Sequence, residues 1–317
     1  MNGADLSRRG FGLALAVVLA PPAFAAAPGG TQVWRVGRVK ISRIEESSAP
    51  PGMRPGSFLP AATPETVTAL AWLRPDFADE TGAVPFATNG YVVDTGGRRI
   101  LVDAGSGEGK TKANGRASTA ASHFMQSLAA AGYTPEAIDT VVCTHLHADH
   151  VGWFTHKVDG VWKPTFPKAR YRVSRGEFDY WKGQTENANE RLSFIENIQP
   201  VLDAGLLETV AGDYEAAPGV RFVPTPGHTP GHVSVSIASE GAEALITGDF
   251  VHFPVEFAHP DWRYPSDYDP DQAIRTRQAE YAALADRRVL VIGTHFPYPT
   301  AGRLVREGGA YRFQAQP

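Results

Sequence analysis

The chain has 317 residues, 43% of them hydrophobic and 20% charged, enough to bury a sizeable core in one large domain or two small ones. A formal net charge of −4 supplies no electrostatic pull toward nucleic acid or an anionic membrane surface, so neither is expected as a partner. The single cysteine, Cys143, excludes a disulfide within the chain.

Residues 1–27 read as a leader. Arg8-Arg9 precede a short apolar run from Leu13 to Ala20, and Ala25-Ala26-Ala27 closes it, the pattern of a cleaved twin-arginine export signal. The run is shorter than the ~20 residues of a membrane span, so no stable membrane anchor is expected. The mature part, 28–317, is placed in the periplasm or outside the cell. Val33–Ile44 alternates apolar and polar residues and predicts one or two strands. Ser47–Pro64, rich in Pro, Gly and Ser, predicts a loop or arm over the surface. Thr88–Asp103 predicts a hairpin turning at Gly96-Gly97. Ala117–Ala131, alanine-rich and followed by Gly132, predicts a helix with a glycine C-cap.

The strand predicted over Ala137–Thr144 runs into His145-Leu146-His147-Ala148-Asp149-His150, four strong metal ligands in six residues. Side chains two apart at a strand end point the same way, so His145 and His147 can share one ion. Asp149 and His150 are offset on the turn that follows. Helices are predicted near Gly176–Lys182 and Asn187–Asp203, then strands near Val220–Pro224, His232–Ala238, Ala244–Thr247 and Val289–Ile292. Asp269 as N-cap and Pro270 at N1 open a helix through Ala285. His228 sits on a Pro/Gly turn, Asp249 follows the third of these strands, and His295 the fourth. A buried strand, a small residue and then a ligand recur, which a histidine-rich surface loop would not repeat. Strands punctuated by helices in two successive halves fit a layered α/β sandwich with helices outside.

The order His-x-His-x-Asp-His, then a later His, Asp and His, spans roughly Val84 to His295 and resembles the metallo-β-lactamase superfamily. The resemblance implies an αββα four-layer sandwich formed by 28–317 as one domain, with an N-terminal arm at about 47–75. A homodimer using that arm follows from family likeness alone. The resemblance also implies that His145, His147 and His228 hold one metal ion and Asp149, His150 and His295 a second, with Asp249 bridging them. Two divalent cations, zinc first, suit these donors, although iron, cobalt, manganese or nickel fit the same set. Such a pair lowers the pKa of a shared water toward ~7 and stabilises charge growing on a substrate oxygen. Asp249 then sets the metal separation, and Asp149 orients the nucleophile or carries a proton. His232 is expected to hydrogen-bond behind the ligands. His123, His156 and His259 are read as surface or structural, and Cys143 as a core residue.

Within the superfamily, Gly248-Asp249-Phe250-Val251-His252, His259-Pro260-Asp261-Trp262 and Asp269-Pro270-Asp271-Gln272-Ala273 resemble the exported group that includes methyl parathion hydrolase and related lactonases. That implies cleavage of lactone, ester or phosphotriester bonds in a small-molecule substrate. A tyrosine often stands in such lactonases where this chain has His252, which is expected either to donate to substrate or to line the pocket. Trp153, Phe154, Phe178, Trp181, Phe253, Phe257 and Trp262 cluster in sequence around the ligands. Of these, Trp153, Phe154 and Phe253, with His252, are taken as the lining of a pocket for uncharged, apolar substrates. Competing readings are a β-lactamase, which needs a cationic group for the drug's carboxylate, a mononuclear-iron sulfur dioxygenase, and a non-catalytic metal-binding module. All seven ligands being present favours the hydrolase.

Overall fold

Strand alternation sets the layering. In the computed structural model, which describes residues 31–316 apart from 58 and 185, Val36, Val39, Ile41, Tyr91 and Val93 of one sheet pack against Phe222, Val235, Ile237 and Ile246 of another. The opposite face of the first sheet, with Ile44, Val92, Leu101 and Tyr171, is covered by helices carrying Phe124, Leu128, Phe178 and Val201. The outer face of the second, with Leu245, Val291, Leu304 and Phe313, is covered by Tyr281 and Leu284 of the helix Pro270–Asp286. Three apolar seams thus separate four layers, the expected αββα sandwich. The leader read at 1–27 lies outside the described residues. Among the described residues no helix is long and apolar enough to cross a membrane.

The first sheet runs Val33–Val36, Val39–Met53, Val84–Asp94, Arg99–Val102, Thr140–Val142, Arg170–Ser174 and Leu207–Val210, in that spatial order. Its last four strands are parallel, with Val102 opposite Val142. The second sheet runs Glu215–Ala217, Val220–Pro224, Val233–Ser239, Ala242–Ile246, Leu290–Ile292, Ala301–Glu307 and Ala310–Ala315. Ala242–Ile246 and Leu290–Ile292 are parallel there, with Ile246 opposite Ile292. Parallel neighbours end together, so the residues just after Val102 and Val142, and those just after Ile246 and Ile292, emerge side by side.

Three predicted elements differ from what is observed. The segment read as a surface arm from Ser47 continues the strand to Met53, with irregular pairing between Ala49 and Met53 where two prolines interrupt the ladder. Beyond it, Leu59, Val67, Leu73 and Phe77 are buried on the second sheet's outer layer. The helix predicted over Ala117–Ala131 is confined to Phe124–Ala130. Residues 117–121 are mainly exposed and offer no apolar face, whereas Phe124 and Leu128 bury theirs. Gly132, at φ 88°, closes the helix as expected. The helix predicted over Asn187–Asp203 contains a wide turn at Phe194–Ile198. Pro200 lacks the N–H that would bond the carbonyl one turn back, and the widened register absorbs the loss.

Phe222 is 1% exposed in the seam between the sheets. Replacing Phe222 with Ala is expected to lower unfolding free energy by about 3–5 kcal/mol. Equilibrium urea denaturation measures this; a loss under about 1 kcal/mol would mean that the two sheets are not closely packed there.

Candidate metal centre

Four strand ends converge on one edge of the sandwich. Residues 145–150 follow Thr140–Val142, His228 follows Val220–Pro224, Asp249 follows Ala242–Ile246, and His295 follows Leu290–Ile292. Donor atoms of His145, His147, His228 and Asp249 lie within 4.8 Å of one another, and those of Asp149, His150 and His295 form a second group on the same criterion. In the first group His147 Nδ1 lies 2.9 Å from His145 Nε2 and 3.0 Å from His228 Nε2. Three ring nitrogens facing a common point are the geometry of shared coordination. Asp249 Oδ2 lies 3.2 Å from His295 Nε2, 3.3 Å from His150 Nε2, and 3.7 Å from both His145 Nε2 and His228 Nε2. It therefore faces both groups.

The donor set fits divalent cations. His150 Nε2 and Asp249 Oδ1 are buried without a hydrogen-bond partner, which is costly unless a cation completes them. Burial pushes His145 well below the ordinary imidazole range, with repulsion from His150 adding to it, and holds His147 at about 3. Both shifts favour the neutral ring that ligation requires. Burial opposes charge on His150 and His295 too, but Asp249 and its neighbouring carboxylates outweigh it and raise both. The second group thus favours positive charge at its centre.

Four of the five ligand rings, those of His145, His150, His228 and His295, are held from behind. His150 Nδ1 lies 2.9 Å from Asp103 Oδ2, and Asp103 also accepts from the Thr144 N–H and hydroxyl. The Thr144 hydroxyl lies 3.1 Å from His145 Nδ1. His228 Nδ1 lies 3.0 Å from Asp267 Oδ1, whose other oxygen accepts from Arg277 at 3.3 Å. His295 Nδ1 lies 2.9 Å from the Ala87 carbonyl. His232 sits where expected: its Nε2 accepts the Asp249 N–H at 2.8 Å, and its Nδ1 lies 2.8 Å from the Thr225 hydroxyl. Gly248 is required at φ 60°, because a Cβ there would meet His232 Nε2 at 2.6 Å. Cys143 is buried in the core, and burial raises its thiol well above the usual range.

Glu177 is the strongest tie among them, and nothing in the sequence singled it out. One oxygen accepts from the Leu146 N–H at 2.9 Å and from the Trp181 indole. The other accepts from the Thr229 hydroxyl at 2.7 Å and the Gly231 N–H at 3.1 Å. One carboxylate thereby pins the loop carrying His145 and His147 to the loop carrying His228. Asp103 was legible in principle, since it follows the apolar run Ile100–Val102 as the other ligands follow theirs.

The cleft above the donors has a volume of about 470 Å³. His252 lines it, with Nε2 3.2 Å from Asp249 Oδ2 and its ring stacked on Tyr264 at 3.7 Å. Trp181 also lines it, edge-on to His147. Trp153, Phe154 and Phe253 do not. After Asp149-His150 the chain turns back into the sandwich, where Gly152 and Trp153 donate to the carbonyls of Gly105 and Ala104. The Trp153 indole donates to Glu46 and Ser122, and Phe154 packs edge-on against Tyr171. Phe253 points away from His252 into the second sheet's outer seam. The aromatic walls come instead from Phe86, Tyr180, Trp181, Tyr264 and Tyr268, interleaved with Gln184, Asn187, Glu190 and Ser266. Burial, with the Asp149 carboxylate adding to it, pushes Glu190 up to about 7.

Residues 83–295 match the family described as the metallo-beta-lactamase superfamily. An N-acyl homoserine lactonase from Bacillus sp is 31% identical over 172 residues, covering 50% of this chain and 62% of the lactonase. The chain therefore spans less than two thirds of that relative. The crystal structure of AbOPH, a hydrolase in the beta lactamase superfamily, superposes with a TM-score of 0.73 at 27% identity, covering 91% of this chain and 98% of that one. AidC, a dizinc quorum-quenching lactonase solved with its product N-hexanoyl-L-homoserine, superposes with a TM-score of 0.74 at 24% identity over the same shares.

Glu177→Gln places an amide N–H₂ against donors that the carboxylate now accepts from. The variant is expected to bind a divalent ion at the His145/His147/His228 group about 10–100-fold more weakly. The Asp149/His150/His295 group should change less. Chelator competition with metal-stripped protein reads both affinities, and equal weakening at the two groups would remove the special role of Glu177.

Proposed function

The chain belongs to the metallo-β-lactamase superfamily, and from that premise we propose that it is a dinuclear metal-dependent hydrolase that opens lactones and related uncharged esters. The observation that carries this reading is Asp249 Oδ2 lying between two His/Asp groups at the floor of an open cleft. His145, His147 and His228 would hold one cation, Asp149, His150 and His295 the other, with Asp249 shared; zinc suits the donors best. When bound, such a pair supplies Lewis acidity and an activated water near neutral pH.

The remaining work falls to this chain's own residues. Water adds to the ester carbonyl carbon, the ring C–O bond breaks, and the departing alkoxide takes a proton. Asp149, whose carboxylate is 39% exposed toward the cleft, is placed to carry that proton. His252 faces Asp249 and so orients that carboxylate. Tyr264 is the better substrate donor: burial and the surrounding carboxylates raise its phenol far above neutrality, which keeps its O–H available at the cleft wall. Aromatic walls suit an acyl chain, and the amide and hydroxyl side chains between them suit its polar head. No Lys or Arg is found among the described residues lining the cleft, which weighs against a β-lactam's carboxylate as the recognised group.

Two predictions test this. Wild-type protein should carry about two metal equivalents, and Asp249→Ala one or none, by elemental analysis, with the hydrolysis rate falling more than about 100-fold. On a panel of acyl-homoserine and aliphatic lactones, aryl esters, a phosphotriester and a penicillin, lactones should show the highest kcat/KM. Faster turnover of the penicillin or the triester would overturn the assignment of substrate.

A further inference from the structure

The parallel strands Ala242–Ile246 and Leu290–Ile292 carry Asp249 and His295 beyond their last residues, and their first residues line a groove of about 520 Å³ at the opposite end. Val289 and Val291 face the outer seam, so alternation turns Arg288 and Leu290 toward the inner side of the second sheet. Leu304 also faces outward, which turns Arg303 inward, and pairing of Val291 with Gly302 sets Arg303 beside Leu290. Arg288 and Arg303 thus stand together at the mouth of the seam between the sheets, and both line the groove. Its other wall is Val33–Val36, the end strand of the first sheet. There the Arg43 N–H donates to the Gln32 carbonyl, so alternation along the antiparallel pair turns the main-chain N–H groups of Val33 and Arg35 toward the open edge.

Among the described residues neither Arg288 nor Arg303 has an ion-pair partner, and Arg303 Nε is buried without an acceptor. An unpaired N–H on a group that stays charged is costly, and two like charges side by side repel. Glu243, the one carboxylate among the described lining residues, is already held by Arg287. The missing counter-charge has to arrive with a ligand. We propose that this groove binds a small oxyanion on an apolar body, a carboxylate or a phosphate monoester, at a site separate from the metal centre. Guanidinium forks match both oxyanions with paired N–H groups, and the main-chain N–H groups at the strand edge add donors. Leu290 and Trp34, which also line the groove, offer the apolar contact. The groove shares no lining residue with the metal cleft, and a strand of five residues, roughly 15 Å, lies between them.

Calorimetric titration with benzoate and with phenyl phosphate, and with neutral benzamide as the control, tests the inference. At least one oxyanion should bind wild type about tenfold or more tightly than benzamide, the worth of one charge-assisted hydrogen bond. Arg288→Ala and Arg303→Gln should each weaken that binding by about tenfold and leave benzamide unaffected. The same probes can also meet the His/Asp groups, so Asp249→Ala separates the two sites: binding in the groove should persist there. Binding of benzoate alone marks the ligand as a carboxylate, and of phenyl phosphate alone as a phosphate monoester; either supports the site. Arg288 is exposed, so Arg288→Ala should keep the wild-type melting temperature, and it decides the matter if Arg303→Gln fails to fold. Binding of neither oxyanion, equal binding of benzamide, or affinity unchanged in Arg288→Ala but lost in Asp249→Ala overturns the proposal.

Discussion

Five imidazole nitrogens lie within 3.2–3.7 Å of a single carboxylate oxygen, Asp249 Oδ2, in a place that water scarcely reaches. Nothing in the ordinary economy of a protein interior favours such crowding. Packing of apolar groups would keep these side chains apart, and hydrogen bonding alone leaves His150 Nε2 and Asp249 Oδ1 unsatisfied. The arrangement is held by what surrounds it. Parallel pairing makes Ile246 and Ile292 end together and Val102 and Val142 end together, so the chain beyond each strand emerges at one edge with no freedom to diverge. His145, Asp249 and His295 each lie three residues beyond the last residue of their strand, and His228 four beyond Pro224.

Behind the donors, Asp103, Glu177 and Asp267 are themselves buried. A buried carboxylate is tolerated only when its oxygens are fully engaged, and each of these is. Asp103 serves Thr144 and His150, Asp267 serves His228 and Arg277, and Glu177 serves donors from two loops and one helix. Their cost in desolvation is offset by fixing which ring nitrogen faces the centre. With Nδ1 of His150 and of His228 against a carboxylate, Nε2 is the atom left to coordinate. Asp103 accepts a left-handed backbone, φ 56°, to reach its position, a conformation aspartate tolerates better than most residues.

Sequence legibility follows the same division. The donors were readable because they share a local grammar, an apolar strand followed within a few residues by His or Asp, and because strand periodicity is itself local. His232 was readable by its spacing from His228. The cleft walls were not. Trp153 and Phe154 are adjacent to His150 in sequence, but the chain reverses at Gly152, where a Cβ would collide with the Ser106 backbone, and carries both rings into the core. Phe253 follows His252 yet points the other way, since successive side chains in extended chain diverge. Tyr264 reaches the cleft from a segment with no periodic signal, Glu190 lies on a helix whose periodicity does not tell which side meets the cleft, and Glu177 acts through bonds to two loops far from it in sequence. Adjacency along the chain predicts ligands well and walls badly.

The walls are not equally free to vary. Trp181 lines the cleft, donates to Glu177 and meets His147 edge-on, so its side of the cleft is mechanically part of the donor scaffold. The opposite side is tied as well: the Tyr268 N–H donates to the His228 carbonyl, Asp267 holds the His228 ring, and Tyr264 stacks on His252. Gln184, Asn187 and Glu190 make no such bond to any of the seven donor residues. A change on either bonded wall therefore shifts donor rings along with the cleft lining, and its effect on the cleft is tied to its effect on the donor geometry. Among the described residues, Gln184, Asn187 and Glu190 let the cleft alter what it recognises while the donor residues behind it stay in register.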